Sequence, residues 1–198
     1  MILYGAGGHA KVVLEILEAN KVKISSLYDD NPAIKSLLDY QVRSVFDFKD
    51  DQGSEFIVSI GCNRTRAKIV SKLSDFKFGT AIDPSAKVSP SAVIRKGTVV
   101  MPGTIINVAS IIGDHCIINT GAVVEHDCRL GDFVHIAPNT TLCGEISVGE
   151  GTLIGAGAVV IPGVKIGSWA NIGAGAVVLE DLPDGCTAVG NPAVIIRN

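Results

Sequence analysis

Counting from Ile82, every sixth residue as far as Val178 is Ile, Val or Leu, seventeen places without a break. Four places beyond each aliphatic residue the side chain is usually small: Ala86, Ala92, Thr98, Thr104, Ser110, Cys116, Ala122, Cys128. Gly, Asp, Asn and Pro fill the intervening positions. A period of six matches neither the 3.6 of a helix nor the 2 of an ordinary strand. It predicts a two-residue strand and a corner, three per coil, stacked as a parallel β-solenoid. Seventeen hexads at three per coil make a little under six coils, a prism roughly 27 Å long at the usual strand spacing. The aliphatic column should line the interior, with small residues where it narrows near each corner. Gly113, Gly131, Gly149, Gly155, Gly167 and Gly173 are expected at those corners, where tight bends or positive φ favour glycine. A β-sandwich would not hold so regular a register.

The first eighty residues follow a different rhythm. Strands are predicted over 2–4, 24–28 and 56–60, with helical spacing over 11–19 and 64–73. Strand–helix–strand order with short connections predicts a small parallel, Rossmann-like α/β domain over 1–80, ahead of the solenoid over 81–198. Between the first strand and helix lies Gly5-Ala6-Gly7-Gly8-His9-Ala10, which fits G-x-G-x-x-A, and Asp29 follows about twenty residues on. A helix start with free N–H groups suits a phosphate. Three readings stay open: NAD, a nucleotide-linked sugar, or a plain scaffold turn. Eighty residues are few for the second half-domain that NAD needs.

Composition narrows the function classes. The net charge of −3 speaks against nucleic acid, and no apolar run approaches the 18 residues of a membrane span. From residue 100 onward the only cations are Arg129, Lys165 and Arg197, so a phosphorylated cofactor held there would rely largely on backbone N–H groups. The five cysteines form no CxxC pair, and Cys116 and Cys128 occupy the small inward place of their hexads. They read as core residues in a reducing cytoplasm, and the opening residues lack the pattern of a signal peptide.

The chemistry concentrates in residues 118–144, which hold His126 and His135 with Asn119, Glu125 and Asp127 close by in sequence. Acyl transfer from a thioester needs a base for the acceptor's proton, and an imidazole titrates in the right range. A carboxylate on its second nitrogen would fix the tautomer. His126 stands at the third place of its hexad, shared with Lys96, Asp114 and Glu150, and should point outward. No serine–histidine nucleophile is evident, so direct transfer is expected. Asn119, one coil face earlier, is a candidate to position the acceptor, though a corner Asn needs no such role.

The hexads, the closing segment Ala188-Val189-Gly190-Asn191-Pro192-Ala193 and the opening Tyr4-Gly5-Ala6-Gly7-Gly8-His9 together resemble the hexapeptide-repeat nucleotide-sugar acetyltransferases. The likeness is to those of the UDP-N-acetylbacillosamine pathway and the broader group with sialic acid O-acetyltransferases. It implies a left-handed parallel β-helix and a homotrimer with active sites between subunits. It also implies a bacterial, cytoplasmic N-acetyltransferase that uses acetyl-CoA and needs no metal. The acceptor implied is the amino group of a nucleotide-activated, UDP-linked 4-amino-4,6-dideoxy sugar; the alternative is sugar O-acetylation. By position, His126 is the general base and Asp127 raises its basicity, with Glu125 the lesser candidate. His135, Gly155-Ala156 and Gly173-Ala174 contact acetyl-CoA. Gly7, Gly8, His9, Asp29, Asp30, Gly61 and Asn63 hold the nucleotide-sugar. A zinc carbonic anhydrase on the same solenoid would need three converging histidines, and His115, His126 and His135 are not spaced for it. A non-catalytic scaffold is the remaining class.

Overall fold

The computed structural model describes residues 1–44 and 53–197. The N-terminal unit is one six-stranded sheet in the order β3-β4-β2-β1-β5-β6, with β1 Ile2–Tyr4, β2 Ser26–Tyr28, β3 Ser36–Leu37, β4 Tyr40–Arg43, β5 Glu55–Val58 and β6 Lys77–Phe78. All pairs are parallel except β3–β4. Helices α1, Gly8–Ala19, and α2, Asn63–Lys72, cover opposite faces, each with its own buried apolar cluster. The expected strands and helices are present within a few residues; β3, β4 and β6 had no clear signal in the pattern. No helix among the described residues is long and apolar enough to cross a membrane.

From β7, Ala81–Ile82, to β23, Val177–Val178, the chain makes seventeen two-residue strands, one per hexad. Through Val159–Val160 each pairs with the strand eighteen residues on, as Val99↔Ile117 shows, so three parallel sheets run the length of the prism. We call the sheet starting at Ala81–Ile82 the first, that starting at Lys87–Val88 the second, and that starting at Val93–Ile94 the third. The second residue of each strand points inward. From Val100 to Val178 these aliphatic side chains are almost wholly buried. The small place holds as well, with a refinement. Thr98, Ser110, Thr140 and Thr152 are fully buried there, and each hydroxyl donates to a carbonyl fifteen residues on at 2.6–2.9 Å. Buried polar groups are tolerated once bonded. Cys116 and Cys128 sit in the same column, both fully buried, with Sγ 3.1 and 3.2 Å from the equivalent carbonyls.

The expected role of the glycines needs correction. From Gly97 to Gly175 positive φ falls on the second residue of each corner, at Gly97, Gly121, Gly151 and Gly175 but also at Ala109, His115, Asp127, Phe133 and Trp169. Gly113, Gly131, Gly149, Gly155, Gly167 and Gly173 have no positive φ. A Cβ on any of them would come within 2.3–2.8 Å of the next coil. They are demanded by close stacking rather than by the turn.

The N-terminal unit docks along the corner between the third and first sheets, one contact per coil. Gly97 N–H donates to Gly79 O at 2.8 Å. The His115 ring meets Phe78 edge-on at 4.5 Å. Arg66, 1% exposed, donates from Nε to His115 O and from Nη2 to Phe133 O, both at 2.8 Å. Asn63 Nδ2 donates to Gly151 O at 3.0 Å, and the Arg64 guanidinium lies 4.8 Å over the Trp169 ring. The outward residues Ala81, Val99 and Ile117 of the first sheet are buried in the same apolar cluster as α1. Replacing Arg66 by Met should therefore cost more than about 3 kcal/mol, because it strands several buried carbonyls. Denaturant unfolding should show this, and a loss under about 1 kcal/mol would mean that the docking does not depend on the guanidinium.

Candidate functional site

His126 is the first residue of a corner between the second and third sheets, and Asp127 is the second, with φ 61°. That left-handed conformation is one an Asp accepts more readily than most side chains. The Asp127 N–H donates to Val108 O, which anchors the corner to the preceding coil. Asp127 Oδ2 then lies 2.9 Å from His126 Nδ1. The ring is exposed, and its pKa is raised above the ordinary imidazole value, first by that hydrogen bond and further by Asp127, Glu125 and Glu145 charge. With Nδ1 donating to Asp127, the Nε2 lone pair is left for an incoming acid. Asp127, rather than Glu125, holds the ring here; the Glu125 backbone is tied into the coil by Ser110 Oγ and Leu142 O.

Gly144, which no sequence argument singled out, occupies the next coil at this corner. A Cβ there would come within 2.5–2.6 Å of His126 Cε1 and Nε2, so the imidazole lies across the bare backbone. The signal was present as a glycine eighteen residues after His126, but its meaning depends on where the ring falls.

His135 is elsewhere. It is the outward residue of a first-sheet strand, directly below Ile117 and above Leu153, where the α1 docking surface ends. Its Nε2 is 3.1 Å from Asn119 Nδ2, and the ring also meets the Gly61 backbone carbonyl. Asn119 Oδ1 accepts from Thr120 N–H, which orients the amide to donate. Asn119 therefore positions His135 and does not reach His126. Burial, then Arg66 and His9 charge, pushes the His135 pKa down to about 4. Burial and Arg66 do the same to His9, whose Nε2 is enclosed without a hydrogen-bond partner. His115, also held near 4, is packed between Phe78 and Phe133 and is part of the docking surface. The three histidines of the zinc reading thus occupy three separate places in the protomer.

At the mouth of the N-terminal unit, Gly7 and Gly8 are exposed and open the helix α1 with no side chain nearby. Gly5 has φ +107° and packs against Ser59 and Ile60, where any Cβ would clash. Asp29 braces this loop: Oδ2 accepts from Ala6 N–H at 2.7 Å and Oδ1 from Asn31 N–H at 2.8 Å. Asp30 accepts from the buried Tyr4 hydroxyl. The Gly61 carbonyl accepts from Arg66 as well as from His135, and Asn63 is turned into the solenoid. A cleft of about 320 Å³ opens between Gly61, Cys62 and Arg64 on one side and Trp169 on the other. Ala156 and Ala174 are exposed at the corner between the first and second sheets, each between glycines. The protomer thus gathers His9, Gly61, Asn119 and His135 in one place, and holds His126 with Asp127, and Ala156 with Ala174, on two other corners.

Gly144→Ala should preserve stability, since the clash is with an exposed ring, yet lower kcat by displacing His126; unchanged kcat would show that the ring does not rest there. His9, His115 and His135 are neutral in the fold near pH 6, whereas an unfolded imidazole titrates near 6.5. Their stabilising contribution is complete above about pH 6.5 and is lost as pH falls toward 4. Denaturant midpoints should drop steeply across that window, and a flat profile would contradict the burial of these rings.

Residues 1–73 match the PglD N-terminal domain family, and residues 109–144 and 145–180 match the bacterial transferase hexapeptide family of six repeats. A histidine-to-asparagine variant of perosamine N-acetyltransferase from Caulobacter crescentus, solved with CoA and GDP-perosamine, is 45% identical. The match covers 100% of this chain and 96% of that one, with a TM-score of 0.94. The acetyltransferase domain of PglB from Neisseria gonorrhoeae FA1090 is 37% identical, over 98% of each chain, with a TM-score of 0.91. An uncharacterised protein, L142 of Acanthamoeba polyphaga mimivirus, is 36% identical over 129 residues, 65% of this chain and 23% of that much longer protein. The protein belongs to the hexapeptide-repeat nucleotide-sugar acetyltransferases, acyltransferases that set a PglD-type N-terminal domain against a parallel β-helix.

Proposed function

We propose that this protein moves the acetyl group of acetyl-CoA onto the amino group of a nucleoside-diphosphate-linked 4-amino-4,6-dideoxy sugar. The observation that carries the reading is His126 with Nδ1 held by Asp127 and Nε2 unencumbered, on a chain 45% identical to perosamine N-acetyltransferase. The amine lone pair attacks the thioester carbonyl, the nitrogen's proton passes to Nε2, and the C–S bond breaks. CoA leaves as thiolate and takes the proton back from His126. Asp127 stabilises the imidazolium in between. A neighbour solved with GDP-perosamine adds guanosine to the uridine expected from the resemblance, and the Gly7–Gly8 helix start and Asp29–Asp30 can meet either nucleotide.

The active form in this proposal is a homotrimer, with residues 81–198 of adjacent copies building each site. Two features support it. His126 and the His135–Asn119 pair belong to different sides of one prism, so a single protomer does not assemble them. The second sheet also shows an outward, partly exposed column of Ile105, Val123, Thr141, Val159 and Val177, flanked by Val108 and Leu179, these last two at least half exposed. A continuous apolar stripe of this kind marks a protein interface. Ala156 and Ala174 at the edge of that sheet would then face a neighbour's His126 corner, with acetyl-CoA between.

The assay supplies acetyl-CoA with UDP- or GDP-linked 4-amino sugars or with sialic acids, reading thiol release and the acetylated product. Wild-type enzyme should acetylate an amine. His126→Ala should lower kcat by about 10²–10⁴. Asp127→Asn, which keeps the corner conformation, should move the acid limb of the kcat profile to lower pH, because the raised His126 pKa falls back. Acetylation of hydroxyls alone, or full activity without the His126 imidazole, would overturn the proposal.

A further inference from the structure

A groove of about 780 Å³ runs along the outside of the third sheet. Arg129, Ser147 and Lys165 hold the same outward place on three successive strands there, in strict register. At the usual strand spacing the two cations stand roughly 10 Å apart along the prism, with only a serine hydroxyl between them. Both are exposed, and neither has a carboxylate within ion-pair distance among the described residues, where the ion pairs are Lys96–Asp114 and His126–Asp127. The groove's acidic wall is already engaged: Asp181 Oδ1 accepts from Lys165 N–H at 2.7 Å and Asp184 Oδ1 from Ser168 N–H at 2.6 Å.

The wider charge pattern makes this column stand out. Residues 100–198 carry nine Asp and Glu against three cations, and two of those three are Arg129 and Lys165. A polyanionic ligand approaching this half would otherwise meet repulsion. The column also starts beside the base: Arg129 is two residues past Asp127, on the strand that leaves the His126 corner. A ligand whose reactive end lies at His126 can extend its other end along the third sheet past both cations.

We propose that Arg129 and Lys165 bind the phosphate groups at the nucleotide end of acetyl-CoA. This rests on acetyl-CoA being the acetyl donor, and it adds two side-chain cations to a cofactor site otherwise made of backbone N–H groups. The long side chains can converge on one phosphate or take two.

Steady-state kinetics with wild-type, Arg129→Gln and Lys165→Gln enzymes test it, using acetyl-CoA, 3′-dephospho-acetyl-CoA and S-acetyl-pantetheine as donors, with CoA binding followed by calorimetry. Each variant should raise the acetyl-CoA KM roughly tenfold, the size of one exposed charged hydrogen bond, with kcat and the nucleotide-sugar KM unchanged. With S-acetyl-pantetheine, which lacks every phosphate, the variants should equal wild type; a change confined to the 3′-dephospho comparison assigns a cation to that phosphate. An equal penalty on the phosphate-free donor, a rise in the nucleotide-sugar KM instead, a change of oligomeric state, or no effect would each overturn the assignment. Wild-type enzyme that binds CoA through these residues yet acetylates no amino sugar would sink the proposed reaction and leave this site standing.

Discussion

The chain returns to the same place every eighteen residues, and nearly everything else depends on that return. Val99 N–H meets Cys116 O, Ile117 N–H meets Val134 O, and His135 N–H meets Thr152 O, each at 2.9 Å. One backbone ladder therefore sets both strand spacing and azimuth. A residue's number, counted in eighteens, decides whether it lies inside, on a sheet or at a corner. This constraint also explains why the interior tolerates Thr, Ser and Cys. The position offers a carbonyl one coil away to any short donor, so the polar atom is bonded wherever it occurs.

The same ladder gives the three sides different work. The corner between the third and first sheets is taken by the N-terminal unit, through Gly97, His115, Phe133, Gly151 and Trp169 in turn. The second sheet shows an apolar outer column, and the third shows Arg129 and Lys165. The column outside the first sheet changes character along its length. Ala81, Val99 and Ile117 are covered by α1; His135 follows where that cover ends. Polar chemistry appears in this column at the place where apolar docking stops.

Much of this was legible beforehand. The hexad period foretold seventeen strands, and the glycine loop with Asp29 foretold where β1 meets α1. Outward placement of His126 followed from hexad position, whereas the choice of Asp127 over the equally adjacent Glu125 was implied only by the family resemblance. What escaped the sequence was long-range. Arg66 lies in a helix whose composition reads as a solvated surface, and only the docked structure shows it buried among carbonyls. Asn119 is sixteen residues from His135, and the contact exists because the two fall on neighbouring strands of one sheet. Gly144 matters through a ring that approaches it from the coil above. The close-stacking glycines were mistaken for turn glycines because both kinds recur with the same period.

Arg66 also ties the N-terminal unit to the solenoid. One guanidinium bonds the loop carbonyls of Ile60 and Gly61 on the N-terminal unit and those of His115 and Phe133 on the solenoid. Gly61 O in turn accepts from His135, so the loop and this imidazole share one acceptor. Among the described residues the positive charge is solvated by oriented carbonyls and by Asn63 rather than by a counter-ion. Its field disfavours protonation of His9 and His135, which burial already opposes. A neutral imidazole at His135 keeps its Nε2 an acceptor for Asn119, and that amide is itself fixed by Thr120. Among the described residues no acid pairs with this cation, which fixes the geometry of the loop and adds to the burial that keeps the nearby histidines uncharged. A lysine could supply the charge, but a single ammonium cannot span four carbonyls on two units as the planar fork does.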